Sequence, residues 1–238
     1  MSLEVKNKRF FEYSIYCGPV EEIFNEENKI INTINPHSYC VALSDNNFRQ
    51  ALINSDILVA DGYGIKLAMW LKRRKHLPRI TGSDIHEKAL EKCQKGRLKV
   101  FYLGSSEECL KDIVTKLEEN YSSIKVKTFS PPFKKEFDSH DSLKMIHEIN
   151  SFKPDFLFVG MTAPKQEKWV FQHHDKLNVK WICAIGAVFD YYSDRVKRAP
   201  LWARKIGIEW IYRSLTSFRL AKRNLISNPR FLLNVIFK

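Results

Sequence analysis

The chain has 238 residues, 44% of them hydrophobic and 13% aromatic, with a formal net charge of +12. That size and composition fit one α/β unit with an appendage and a sizeable core, and they exclude a disordered or low-complexity chain. The charged N-terminus leads into no secretory apolar region and no 18 apolar residues are consecutive, so a secreted or membrane-spanning chain is not expected; five scattered cysteines without a C-x-x-C pair fit a reduced cytoplasmic compartment without structural metal.

Residues 1–29 are mixed, with an aromatic run at Phe10-Phe11-Glu12-Tyr13 and a short helical candidate after Pro19. Ile30 to Ile34 reads as a buried strand that ends at Thr33-Ile34-Asn35-Pro36, where proline stops it. Thr33 and Asn35 are candidate ligand groups at that end, or a turn and helix N-cap. After a helix-like segment from Ser44 to Asn54, Ile57-Leu58-Val59-Ala60-Asp61-Gly62-Tyr63-Gly64 reads as a strand ending at Asp61. Open α/β sheets bind ligands outside the carboxyl ends of their strands, so Asp61 is a candidate site acid; the alternative is a helix cap. Gly62 and Gly64 permit positive φ and close backbone approach. The apolar period Ile65, Leu67, Ala68, Leu71 predicts a helix carrying Lys66, Lys72, Arg73 and Arg74. Arg79 and Asp84 follow, either a ligand pair or a surface ion pair and a cap.

Asp84 to Lys95 fits a helix, Leu98 to Leu103 a strand, Gly104-Ser105-Ser106 a turn and Glu107 to Asn120 a helix. This rhythm predicts a doubly wound, Rossmann-like, mostly parallel sheet with helices on both faces. The turn at Gly104 lacks the G-x-G-x-x-G spacing of a dinucleotide fingerprint. A strand at Ile124 to Phe129 leads to Ser130-Pro131-Pro132-Phe133, a rigid loop that walls a pocket or only turns. A helix over Asp141 to Asn150 and a strand over Asp155 to Gly160 come next. Pro164 suits a first helical position, which places Lys165, Gln166 and Glu167 in a first turn that favours an anion; Glu167 could instead serve as a cap. Val179 to Ala187 is the last clear strand, with Gly186 and Asp190 at its end.

Residues 195–238 hold eleven Lys/Arg against one acid, Glu209, whereas the preceding 194 residues are nearly neutral. The chain therefore divides into an α/β domain, 1–194, and a basic appendage, 195–238. On a helix Arg219, Lys222 and Arg223 share a face, and the Trp, Phe, Leu and Ile around them suit a membrane interface. The alternative is a helical hairpin packed on the core with a solvated charged face. Such charge asymmetry points to an anionic partner, nucleic acid or a membrane surface, and the dense apolar residues favour lipid.

In order and spacing, Thr33-x-Asn35, Asp61-Gly62-x-Gly64, Arg79-x-x-Gly82-x-Asp84, Pro131-Pro132-Phe133, Gly160-x-x-x-Pro164-Lys165-Gln166-Glu167-x-x-Trp169, Gly186-x-x-Phe189-Asp190, Arg198-Ala199-Pro200 and Gly207-x-Glu209-Trp210-x-x-Arg213 resemble the WecG/TagA/CpsF family of bacterial glycosyltransferases. The resemblance runs from about Ile30 to Arg223. It implies a cytoplasmic enzyme, peripheral on the inner face of the plasma membrane. Such an enzyme moves a sugar, of N-acetylmannosamine type or another hexose, from a UDP-sugar to a polyprenyl-diphosphate-linked sugar in cell-surface polysaccharide, capsule or teichoic acid synthesis, with inversion.

Asp61 then matches the general base, and Thr33 and Gln166 match the catalytic pocket. Asn35, Arg79 and Asp190 match the nucleotide-sugar site, to which Gly62, Asp84, Gly104, Pro132, Gly160, Lys165 and Gly186 are also assigned. Arg198, Arg213, Arg219 and Arg223 match basic residues that meet the acceptor's diphosphate and the membrane. No Asp-x-Asp is present, so no metal and no cofactor are expected, with UDP-sugar as substrate. No nucleic acid partner is expected, while an exposed apolar tail favours self-association or membrane contact. The sequence departs from the family pattern at Ala184 and Asp194, where glycines are usual.

Overall fold

The computed structural model describes residues 6–73 and 77–237, without the side chains of Arg73, Lys205, Arg213 and Arg219. Arg74, assigned above to a basic helix, lies outside the described residues. Eight strands form one sheet: β1 (Asn7–Phe10), β2 (Tyr13–Tyr16), β3 (Lys29–Ile34), β4 (Ile57–Ala60), β5 (Lys99–Gly104), β6 (Lys125–Phe129), β7 (Phe156–Gly160) and β8 (Trp181–Ala184). Their order is β1-β2-β4-β3-β8-β7-β5-β6. Every pair is parallel except the β1/β2 hairpin.

Parallel strands covered on both faces need apolar residues at every position rather than every second one. β4, β7 and β8 are buried throughout, which is why they read as continuous apolar runs. Alternate side chains then feed different layers. Val59, Tyr102, Phe158 and Cys183 pack with α4 (Gly82–Gly96), α5 (Glu107–Asn120) and α8 (Val188–Tyr192) on one face. On the other face Leu58 and Ala60 meet α1 (Pro36–Ala42), α2 (Asn46–Ile53) and α3 (Tyr63–Arg73), while Phe101, Leu157 and Ile182 meet α6 (Ser139–Phe152) and α7 (Lys165–His173).

Right-handed crossovers explain the two layers: α5 leads outward from β5 to β6, and α7 leads the opposite way from β7 to β8. The chain thus reverses direction between β5 and β7, and the carboxyl edge there is a switch point of the kind that opens a crevice.

Three features differ from expectation. The N-terminal segment contributes the hairpin β1/β2, which was not expected, whereas the short helical candidate after Pro19 is present as a 3-10 helix at Val20–Phe24. Pro164 sits one residue before α7, at its N-cap, rather than inside it. The last strand ends at Ala184, leaving Ile185 to Ala187 as a turn.

The 195–238 segment forms α9 (Leu201–Ile206), α10 (Glu209–Thr216) and α11 (Phe218–Phe237). α11 packs on α1 and α3 and places Phe231 and Val235 in the same cluster as Phe10, Tyr39 and Leu58. This appendage therefore completes part of the core. Its outward side is nevertheless apolar: Trp202, Leu215, Phe218, Leu225, Ile236 and Phe237 are all exposed.

Candidate active site

A cavity of about 1190 Å³ opens along the carboxyl edge of the sheet and is walled on the far side by the appendage. Thr33, Asn35, Asp61, Gly62, Arg79, Pro132, Gly160, Lys165, Gln166, Gly186, Asp190, Arg198 and Arg223 all line it. Residues from eight separate stretches of sequence are thereby brought together: those at 33–35, 61–62, 132, 160–166 and 186–190 lie at or follow strand ends, Arg79 and Arg198 sit in the segments before α4 and α9, and Arg223 lies on α11. Asp84 and Gly104 are not on the wall. The side chains of Arg213 and Arg219 lie outside the described residues.

Asp84 is the reciprocal cap of α4: its Oδ2 accepts from the Thr81 N–H at 2.7 Å and from the Thr81 hydroxyl at 2.8 Å. Assigned above to donor binding, it instead holds the loop that carries Arg79 and Thr81. Gly104, with φ of 119°, lets β5 pass the end of β7, since a Cβ there would meet the Gly160 carbonyl. Its contribution is close strand packing beneath the cavity floor.

Asp61 leaves β4 where that strand pairs with β3; its N–H donates to the Ile34 carbonyl at 2.9 Å. Gly62 then takes a φ of 81°, a turn that places the Asp61 carboxylate at the edge before α3 begins. A Cβ at Gly64 would collide with Pro36, so the first turns of α1 and α3 interlock just past the paired ends of β3 and β4, which hold Thr33, Asn35 and Asp61 side by side. Asn35 is also the N-cap of α1, its Oδ1 accepting from the Ser38 N–H at 3.0 Å.

Gln166 is 3% exposed and clamped at both ends of its amide. Oε1 accepts from the Met161 N–H at 3.0 Å, and Nε2 donates to Glu167 Oε1 at 2.9 Å. A backbone N–H can only donate, so the amide orientation is fixed and its second N–H is left for a ligand. Glu167 is equally buried, its Oε2 has no hydrogen-bond partner, and burial pushes its carboxyl up to about 7. Read from sequence as a possible cap, Glu167 is instead a buried acid on the cavity wall. The signal was its place beside Gln166 in the first turn.

Around these groups the wall is basic. Lys165 Nζ donates to the Lys134 carbonyl at 2.8 Å and sits over the Phe137 ring. Arg198 donates to Thr81 Oγ1 at 3.3 Å and to Glu209 Oε1 at 3.4 Å. His37, hydrogen-bonded to Ser227 at 2.8 Å, is held neutral at ordinary pH by burial and by Arg223, which lower its pKa to about 4. The sequence assigned no site role to His37, Arg204 or Glu209, although Glu209 stood out as the appendage's one acid and within the family motif. The family-pattern departure at Asp194 keeps the backbone a glycine would favour, with φ of 57°.

Among the described residues one group has metal-like spacing: Asp138, His140 and Asp141. It lies at the start of α6, where Asp138 and Asp141 cap the helix reciprocally and both take the Lys134 ammonium. None of the three lines the cavity.

A model of the glycosyl transferase WecG/TagA/CpsF family matches residues 14–238. An N-acetylglucosaminyldiphosphoundecaprenol N-acetyl-beta-D-mannosaminyltransferase of Bacillus subtilis (strain 168) is 28% identical over 207 residues, covering 87% of this chain and 78% of its own. The protein of the same name from Staphylococcus aureus (strain MRSA252) is 29% identical over 208 residues, 87% of this chain and 80% of its own. With the family match spanning nearly its whole length, the chain belongs to the WecG/TagA/CpsF family and is a glycosyltransferase.

Proposed function

We propose that the protein transfers a hexosyl group, of N-acetylmannosamine type, from a UDP-sugar to a polyprenyl-diphosphate-linked sugar, with inversion at the anomeric carbon and without a metal ion. The observation that carries this reading is the convergence of Asp61, Gln166 and Arg79 in one cavity that the amphipathic appendage closes. The named relatives act on a lipid-diphosphate-linked N-acetylglucosamine, and the excess of arginine and lysine on the wall suits two diphosphates.

In this reading Asp61 takes the proton from the acceptor hydroxyl as that oxygen attacks the anomeric carbon opposite the departing UDP. The leaving diphosphate gathers negative charge. Arg79, the free amide hydrogen of Gln166 and the N-terminal turn of α7 stabilise it, the work a metal does in other transferases.

The lipid end of the acceptor calls for a membrane surface. No described helix is long and apolar enough to cross a membrane. The exposed Trp202, Leu215, Phe218, Leu225 and Phe237, with basic neighbours, suit burial in an interface instead. The same exposed apolar residues weigh against nucleic acid as the partner of the tail.

The test is acceptor-dependent UDP release by the full chain from a panel of UDP-sugars, in the presence of a chelator, with the product's anomeric configuration determined. Release confined to UDP-sugar plus lipid acceptor, giving an inverted linkage, is the expected result. Absence of release from every donor, or release that requires added divalent metal, contradicts the reading.

A further inference from the structure

We propose that Glu209 is an internal stand-in for a phosphate: Arg79 and Arg198 form a diphosphate subsite, and this carboxylate fills it until a ligand displaces it. The inference rests on the glycosyl-transfer reading above and deepens it.

Glu209 is the sole acid between Arg195 and Lys238, yet it is turned inward. Its Oε2 lies 3.5 Å from Arg79 Nη2 and its Oε1 3.4 Å from Arg198 Nε. One carboxylate thus bridges two guanidiniums from separate segments, Arg79 from the loop before α4 and Arg198 from the segment before α9. Thr81, braced by Asp84, accepts a further bond from Arg198. All three charged side chains are only 21–27% exposed, so the cluster sits inside the cavity.

The charges do not balance. A single carboxylate between two arginines leaves one positive charge over, and Arg204, which also lines the cavity, has its Nε buried without a hydrogen-bond partner. Among the described residues of the lining, seven Lys/Arg face four Asp/Glu. Both bridges are also longer than the distances usual for charge-assisted hydrogen bonds. A diphosphate brings more negative charge and more acceptor oxygens and can engage each planar guanidinium bidentately. Once displaced, Glu209 remains in the first turn of α10, where the helix dipole stabilises it.

The experiment titrates inorganic pyrophosphate and UDP into the full chain, wild type and Glu209→Gln, by calorimetry. Removing the competing charge is expected to tighten binding of both by about three- to tenfold, the scale of one or two partly buried ion pairs. In parallel, Glu209→Gln should lower the melting temperature without ligand but increase the rise that pyrophosphate produces. A positioning role for Glu209 predicts the reverse, weaker binding, and that result or an unchanged affinity overturns the proposal. Should Glu209→Gln fail to melt cooperatively, Glu209→Asp, too short to span both arginines, must show the same gain or the proposal is lost. Wild type that binds pyrophosphate but no UDP would sink the donor reading, whereas wild type that binds UDP with no gain in the variants sinks only this inference.

Discussion

Glu167→Gln isolates the buried acid beside Gln166. Burial raises the Glu167 carboxyl from 4.5 to about 7, so the folded chain keeps a proton that the unfolded chain has already released. The sign follows from linkage: the group's contribution is intact below about pH 4.5, falls as pH rises, and is fully lost above about pH 7. A displacement of that size corresponds to about 3 kcal/mol. Glutamine keeps the carbonyl that accepts from Gln166 Nε2 and removes the titration, though its amide hydrogens bring a desolvation cost of their own at every pH. The readout is therefore the change with pH rather than the absolute value. Denaturant unfolding of wild type and variant at about pH 4.5 and about pH 8 should show the variant gaining about 2–3 kcal/mol relative to wild type across that interval. A difference that stays constant with pH, or moves the other way, would mean that Glu167 is ionised and satisfied in the folded protein, and the argument for its neutral form fails.

Phe231→Ala should cost about 3–5 kcal/mol, because Phe231 is 1% exposed against Phe10 and Tyr39; denaturant midpoints check this, and a cost within 0.5 kcal/mol or so would show that α11 does not dock there in solution. For the same reason, truncation after residue 194 should lower the melting temperature of the remaining α/β part. Changing Leu225, Ile226 and Phe237 together to serine should leave the fold's stability nearly unaltered and sharply reduce cosedimentation with anionic vesicles, whereas Leu143→Ser, equally exposed on α6, should do neither. Vesicle binding that survives the triple substitution would move the membrane face elsewhere.

How much of this was legible in sequence depends on what each residue reports. Buried parallel strands announce themselves, since Ile57 to Ala60 and Phe156 to Gly160 are apolar at every position and are followed by the polar and glycine residues that line the cavity. The β1/β2 hairpin did not, because its turn at Phe11-Glu12 uses a phenylalanine at φ of 52° instead of the glycine or asparagine that marks such turns. The appendage misleads in a different way. The inward face of α11 carries Asn224, Ser227, Phe231 and Val235, while Leu225, Ile226, Leu233 and Ile236 face outward. Buried polar and exposed apolar residues on one helix defeat an argument from hydropathy alone, so docking and an apolar outer face, posed as alternatives, occur together. Asp84 and Glu167 exchanged roles for a comparable reason: an acid near a helix start is either a cap or a site group, and only burial and partners distinguish them.

In the proposed reaction Asp61 accepts the acceptor's proton. Its most direct test is Asp61→Asn in the full chain, with UDP affinity by calorimetry and sugar transfer in a single turnover measured on the same preparation. UDP affinity is expected within about twofold of wild type and the transfer rate lower by about 10²–10⁴-fold, the usual contribution of a general base. Transfer at the wild-type rate, with UDP still bound, would contradict it.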